Sequence, residues 1–244
     1  MLDQDYYLLT LAAIARELKY RNLTTARVVL AVGLPLTWVS TQKEKFRVYL
    51  MKNKIVDFSF RDMKYHVEFV SCDVYPQGFS AIAAQLREFS GINMLCDIGN
   101  GTMNVMYIND HKPDPQRCYT EKCGVHQCVL AVRENLMRIH GVLIDESMIE
   151  SILRSGKAEV AKKYMTVIRQ SVEEYVAGLF RVLRENDYNP DLMKLYVIGG
   201  GSHMVSQFGK YDPARVHFNH DICATAKGYE LLATERLRKA GELV

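Results

Sequence analysis

Three short strand-like runs, each halted by glycine, constrain this sequence most: Val28 to Val32 before Gly33, Met94 to Ile98 before Gly99, apolar apart from Asp97, and Leu195 to Ile198 before Gly199. A run of this kind without polar alternation reads as a strand covered on both faces. Such a strand needs helices above and below its sheet, which is an α/β architecture. Glycine and a polar group at the carboxyl end of such strands mark the place where open α/β sheets bind ligands. At 244 residues the chain is long enough to bury a core as one bilobed unit or two small lobes.

The segments between these runs supply the helices. Periodicity predicts helices over Tyr6 to Lys19, over Gln42 to Met51 with Ser40 or Thr41 as caps, and from Gly78 until Gly91 stops the chain. Further helices are predicted over Val125–His140, Asp145–Ser155 with Asp145 as cap, Tyr164–Glu185 and Ala224–Lys239. Val56 to Val70 alternates as two strands around Arg61-Asp62, and Val105 to Ile108 reads as the hairpin partner of the Met94 run. Residues 109–123, with Pro113 and Pro115, are expected as a surface connection, and Arg215–Phe218 as a last short strand. The two halves are expected to meet near Gly91.

Charge is nearly balanced, with 31 Lys and Arg against 28 Asp and Glu for a net of +3, and no basic run resembles a nucleic-acid arm. Direct nucleic-acid binding is not expected. No stretch is apolar enough for a membrane span, and Asp3 and Asp5 stand where a signal peptide needs basic residues. The expectation is a soluble cytoplasmic protein whose six cysteines are reduced. Cys118, Cys123, His126 and Cys128 offer four soft ligands, but their spacing matches no standard zinc finger, and free packed cysteines are the simpler account.

Three segments concentrate possible chemistry. In Asp97-Ile98-Gly99-Asn100-Gly101-Thr102 a carboxylate at a strand tip can hold hydrated magnesium, the glycines admit an anion to the backbone, and Thr102 adds a hydroxyl; an ordinary Asn-Gly hairpin turn is the competing reading. In Gly199-Gly200-Gly201-Ser202 the main chain lies open to a flat base or sugar, and the next helix start can face a phosphate. Gly199 and Gly201 with Asp221 also match part of a dinucleotide fingerprint, but Met204 stands where its third glycine belongs. In Asp73 to Gly78, Gln77 carries an amide that can orient a water, although a solvent-facing glutamine at a helix start is the commoner case.

Taken in order, these segments resemble the actin/Hsp70/sugar-kinase superfamily, and most of all bacterial actin-like ATPases of the plasmid-segregation ParM/StbA type. DVYPQGFSAIAA (73–84) is similar to the first connecting helix, LCDIGNGTMNVMYIN (95–109) to the second phosphate loop, and LYVIGGGSHMV (195–205) to the adenosine loop. CATAKGYELLA (223–233) resembles the second connecting helix and AVGLPLTW (31–38) the strand before the hinge. The resemblance implies a two-lobed α/β fold of duplicated RNase H-like units: lobe I over 1–90, lobe II over 91–223, and a C-terminal helix, 224–244, returning to lobe I.

It also implies a function. ATP or GTP would bind with Mg2+ held through water by Asp97, with Gly99, Asn100, Gly101 and Thr102 donating to the phosphates and Gln77 orienting the attacking water. Gly199, Gly200, Gly201 and Ser202 would line the adenosine, and Glu150 would contact ribose or base. Hydrolysis would drive filaments that partition plasmid DNA through an adaptor protein on centromere-like DNA, in the cytoplasm of a bacterium. No D-x-G phosphate hairpin of the family's first lobe precedes Asp97, so the resemblance implies an incomplete lobe I with an exposed sheet edge. The alternatives are an actin-fold interaction protein without turnover and a dinucleotide enzyme built on the Gly199 turn.

Overall fold

The computed structural model describes residues 4–242, which cluster into two compact units: residues up to Gln77 together with those from Tyr229, and Gly78–Gly228. The first unit runs α1 (Gln4–Tyr20), β1 (Thr25–Leu34), α2 (Leu36–Leu50), β2 (Ile55–Phe60) and β3 (Met63–Pro76). Its sheet has the order β1-β3-β2, with β1 parallel and β2 antiparallel to β3. Arg61 and Asp62 both take positive φ, 47° and 65°, which turns the chain tightly between β2 and β3 as the alternation predicts.

One extra residue in β3 keeps its apolar side chains on a single face. Val28 of β1 pairs with Phe69 and Val29 with Ser71, so Val70 is left over as a bulge. Tyr65, Val67 and Phe69 before it, and Cys72 and Val74 after it, are all buried with Leu11 of α1 and Leu50 of α2 in one core.

Several expectations for this chain change. The Val28 to Val32 run is only partly buried, apart from Leu30, because β1 pairs on one side alone among the described residues. Helix α2 starts at Leu36, directly after Pro35 (φ −49°), whose ring pre-sets the helix entry; Thr41 sits inside the helix and donates its hydroxyl to the Trp38 carbonyl instead of capping. Another concerns the segment after Gly78, in the second unit.

That unit opens with a 3-10 run, Phe79–Glu88, where an α-helix was expected. Over ten residues the two periods differ by only about half a turn, so apolar spacing cannot separate them. There follow β4 (Ile92–Ile98), β5 (Met103–Asn109), β6 (Lys112–Glu121), α3 (Val125–His140), α4 (Glu146–Ser155), α5 (Lys162–Glu185), β7 (Lys194–Ile198), α6 (Ser202–Phe208), β8 (Val216–Phe218) and α7 (Ala224–Lys239), which passes into the first unit after Gly228.

The sheet order is β6-β5-β4-β7-β8: an antiparallel meander of three strands, then two strands parallel to β4. Strand β6 replaces the expected surface connection. It is an edge strand, where the missing N–H groups of Pro113 and Pro115 need cost no ladder bond, and Arg117 lies over the Tyr107 ring at 3.5 Å. Met94, Cys96 and Ile98 of β4 and Leu195 and Val197 of β7 are buried with Val132 and Leu136 of α3 and Ile168, Val172 and Val176 of α5.

Within the first unit, the end of α7 covers the polar face of β3. Arg236 Nε donates to Asp73 at 2.7 Å, and Tyr229 stacks on Tyr75 with ring centroids 6.1 Å apart. The phase of the Val70 bulge is testable by denaturant unfolding. Phe69→Ala, which empties a fully buried position, should cost about 3–5 kcal/mol. Val70→Thr, at a bulge 41% exposed, should cost under about 0.5 kcal/mol.

Candidate functional site

In the second unit, β4 and β7 run parallel with Asp97 opposite Ile198, so both strands deliver their terminal loops to the same end of the sheet. The loop after β7 crosses the end of β4 at a distance only glycine permits. Gly199 has φ +81°, and a Cβ there would stand 2.6 Å from both Asp97 Oδ1 and the Ile98 carbonyl. A Cβ on Gly201 would meet the Ile98 side chain at 2.3 Å, while one on Gly200 would meet nothing within 4 Å. The Gly201 N–H donates to the Ile98 carbonyl at 2.9 Å and fixes the crossing.

The loop after β4 is held from the other side by α3. Its first two N–H groups, on Val125 and His126, donate to the carbonyls of Gly99 and Asn100 at 3.0 and 2.9 Å. Gly124 allows that approach, since a Cβ on it would lie 2.2 Å from the Asn100 oxygen. Tyr175 of α5 donates its hydroxyl to the Gly124 carbonyl at 2.9 Å, and Gln127 Oε1 accepts from the Gly124 N–H.

Gly99 N–H donates to the Thr102 carbonyl at 2.9 Å, and neither Asn100 nor Gly101 has the positive φ of a type I′ turn. The N–H groups of Asn100, Gly101, Thr102 and Gly200 donate to no described protein group. Backbone N–H groups left open in adjacent loops form a concave anion-binding surface.

Asp97 lies under the Gly199 crossing, with Gly78 also close; a Cβ on Gly78 would be 3.5 Å from its Oδ2. Burial raises its pKa above the ordinary carboxylate value, and among the described residues no donor or cation pairs with it. A carboxylate in this state suits a hydrated divalent cation. Beside these loops lies a cavity of about 440 Å³ lined by Gly99, Asn100 and Gly200, by Glu150, Leu153 and Arg154 of α4, and by His203, Met204, His220 and Ile222.

Comparison with known proteins places this geometry. The family described as archaeal actin homologue MreB-like, C-terminal, matches residues 95–209, and that described as actin like proteins N terminal domain matches residues 1–79. The chain has an actin-like fold. No curated protein matches it by sequence.

Similar solved structures include an archaeal actin homologue in complex with ADP, with 19% identity and TM-score 0.73, covering 91% of this chain and 76% of that one. The apo ParM protein of pSK41 has 14% identity and TM-score 0.74 over 98% and 72% of the two chains. The Alp12 filament structure has 18% identity and TM-score 0.68 over 95% and 75%. The actin-like α/β fold expected from the sequence is met, and the order β6-β5-β4-β7-β8 is that of one RNase H-like unit. It is not the parallel sheet of a dinucleotide domain; Met204 is buried, and Asp221 is paired with Lys227 at 2.6 Å.

In this actin-like chain the structure brings most of the expected residues together. Asp97, Gly99, Asn100, Gly101, Thr102, Gly199, Gly200 and Gly201 surround the end of β4, and Glu150 lines the adjoining cavity. Ser202 is fully buried, with its hydroxyl 3.0 Å from His220 Nδ1. Gln77 closes the first unit, its N–H donating to the Leu34 carbonyl at 2.8 Å.

The cysteines divide. Cys128 is packed against α5 and the sheet, with burial pushing its thiol up to about 12, while Cys118 donates to the Asp114 carbonyl. No group of three or more metal-ligating side chains occurs among the described residues, and none of their helices is long and apolar enough to cross a membrane. Sequence reasoning missed Gly124, Arg154, His203 and His220. Gly124 was visible as a glycine just before a predicted helix, but only the fold sets it against Asn100.

The carboxylate and the crossing can each be tested in the protein alone. Because the folded state holds the Asp97 proton to higher pH than the unfolded chain does, Asp97 costs stability as pH rises from the ordinary carboxylate value through its raised one. Asp97→Asn should therefore raise the thermal midpoint of the nucleotide-free protein at pH 7.5, and a lower midpoint would contradict an unpaired carboxylate. Gly199→Ala should cost at least about 1–2 kcal/mol, against under about 0.5 kcal/mol for Gly200→Ala, compared by denaturant midpoints.

Proposed function

We infer that this actin-like chain binds a nucleoside triphosphate, ATP or GTP, at the end of β4, and that hydrolysis is coupled to filament dynamics. The observation that carries this reading is the pairing of open backbone N–H groups at Asn100, Gly101, Thr102 and Gly200 with an unpaired, largely buried carboxylate at Asp97. Open N–H groups favour phosphate oxygens, and the carboxylate favours the cation that accompanies them. Asp97 would hold Mg2+ through water, and the ion when bound neutralises phosphate charge.

The remaining roles belong to the chain itself. Gly99 keeps the phosphate loop closed through its bond to Thr102, and α3 braces that loop by taking up the Gly99 and Asn100 carbonyls. Gly200 presents bare backbone to the sugar or base, and Glu150 faces the same cavity. Ser202 fixes the start of α6 by its bond with His220. Gln77 is assigned the orientation of the attacking water.

The Alp12 filament among the similar structures supports self-association. We assign the chain to plasmid or DNA segregation in the bacterial cytoplasm, through an adaptor protein that carries the centromere-like DNA contact, since a net charge of +3 without a basic arm gives this chain no strong hold on phosphates of its own.

Thermal unfolding with and without millimolar Mg-ATP or Mg-GTP tests the reading. Binding should raise the midpoint, by linkage about 2.7 kcal/mol at a hundredfold excess over Kd. Asp97→Asn should abolish the magnesium-dependent part of the rise. Gln77→Ala should keep the rise while slowing phosphate release by roughly tenfold or more, and nucleotide-dependent light scattering should report filaments. A midpoint unmoved by either nucleotide would overturn nucleotide binding, and binding without phosphate release would leave an interaction protein on the same fold.

A further inference from the structure

Two imidazoles, His203 and His220, line the cavity together with Glu150, Leu153 and Arg154 of α4. His203, on the first turn of α6, stacks on His220 with ring centroids 4.2 Å apart and planes at 14°. His220 Nδ1 is 3.0 Å from the buried Ser202 hydroxyl, which ties the pair to the end of the glycine loop, and the Phe218 ring lies 5.8 Å beyond. Both rings line the same cavity as the open loop of Gly99, Asn100 and Gly200.

We propose that His203 and His220 are a proton-coupled positioning pair: an anionic nucleotide in this cavity is held more tightly when the pair takes up a proton, so that nucleotide charge and pH are read together. The proposal rests on the nucleotide reading of the cavity. Two imidazoles in stacking contact cannot both be charged cheaply, and burial together with His203 lowers the His220 pKa in the protein alone. A phosphate chain brought within the same cavity supplies the opposing charge, raises the affinity of the pair for a proton, and by reciprocity gains affinity itself as the pH falls.

The other charges near the pair set its resting state. From α4, Glu150 and Arg154 face the cavity with opposite signs and form no ion pair among the described residues. Asp221, next in the chain, is engaged by Lys227 at 2.6 Å. His220 also borders a second cavity, lined among others by Lys194, Glu88 and His217. Among the described residues no carboxylate hydrogen-bonds or ion-pairs with either imidazole, so an anionic ligand in the cavity is the charge that acts on the pair.

The test is titration calorimetry of the whole chain with Mg-ADP and with uncharged adenosine at pH 6.5, each in two buffers of different ionisation heat. Comparing wild type with variants cancels the titration of ADP itself. Wild type should take up about half a proton more per Mg-ADP than His220→Asn or His203→Gln does, and wild type should bind adenosine without proton uptake. His203→Gln leaves the bond between Ser202 and His220 in place, so a folding defect in one variant does not obscure the result. Mg-ADP binding with no difference in proton uptake between wild type and both variants would overturn the proposal alone. Failure of wild type to bind either ligand would overturn the nucleotide reading and the proposal with it.

Discussion

Everything at the candidate site depends on how closely main chain crosses the end of β4. Gly199 and Gly201 pass over Asp97 and Ile98, and Gly124 passes beside Asn100, each at a separation that a Cβ would prevent. Three glycines carry a conformational entropy cost on folding. The layer of α3 and α5 on the sheet offsets it, because Val132, Leu136, Ile168, Val172 and Val176 are all completely buried there. The glycines then leave backbone N–H groups facing outward while the carbonyls of the same loop are consumed by α3. Packing in the core and polarity at the loop are thus two consequences of one crossing.

The electrostatic consequence is a site that is uncomfortable without a ligand. Asp97 is largely withdrawn from water and has no partner among the described residues, and burial together with the stacked His203 ring lowers the His220 pKa. Groups arranged this way lower the stability of the free protein and gain their partner from outside, the usual trade between stability and function. Among the described residues, the core of the first unit holds one buried polar atom without a hydrogen-bond partner, the Tyr65 hydroxyl. Its polar β3 face is matched by Arg236 on Asp73, and its apolar face is kept in phase by the Val70 bulge.

Much of this was legible in the sequence, and the reasons differ by element. The β4 and β7 loops were found because strand, glycine and polar residue follow one another directly in the chain, α3 and α7 because their apolar spacing is long enough to fix a period, and the ten-residue α4 because Asp145 marks its start. The 3-10 run was mistaken because ten residues do not separate two helical periods, and β6 because its prolines signal a loop unless the strand is known to lie at an edge. The burial of β1 was overestimated for the same reason, since apolar composition does not reveal how many neighbours a strand has. Gly124 and the histidine pair were hidden because their meaning lies in contacts across α3, α6 and the loop before α7.

Hydrogen exchange of the whole chain with and without Mg-ADP tests the central claim most directly, because it reads the open N–H groups themselves. The expected result is joint slowing of exchange in residues 97–102 and 199–203, with the buried amides of β4 and β7 little changed. Slowing confined to other segments, or in only one of these two loops, would contradict the assignment of the end of β4 as the nucleotide site.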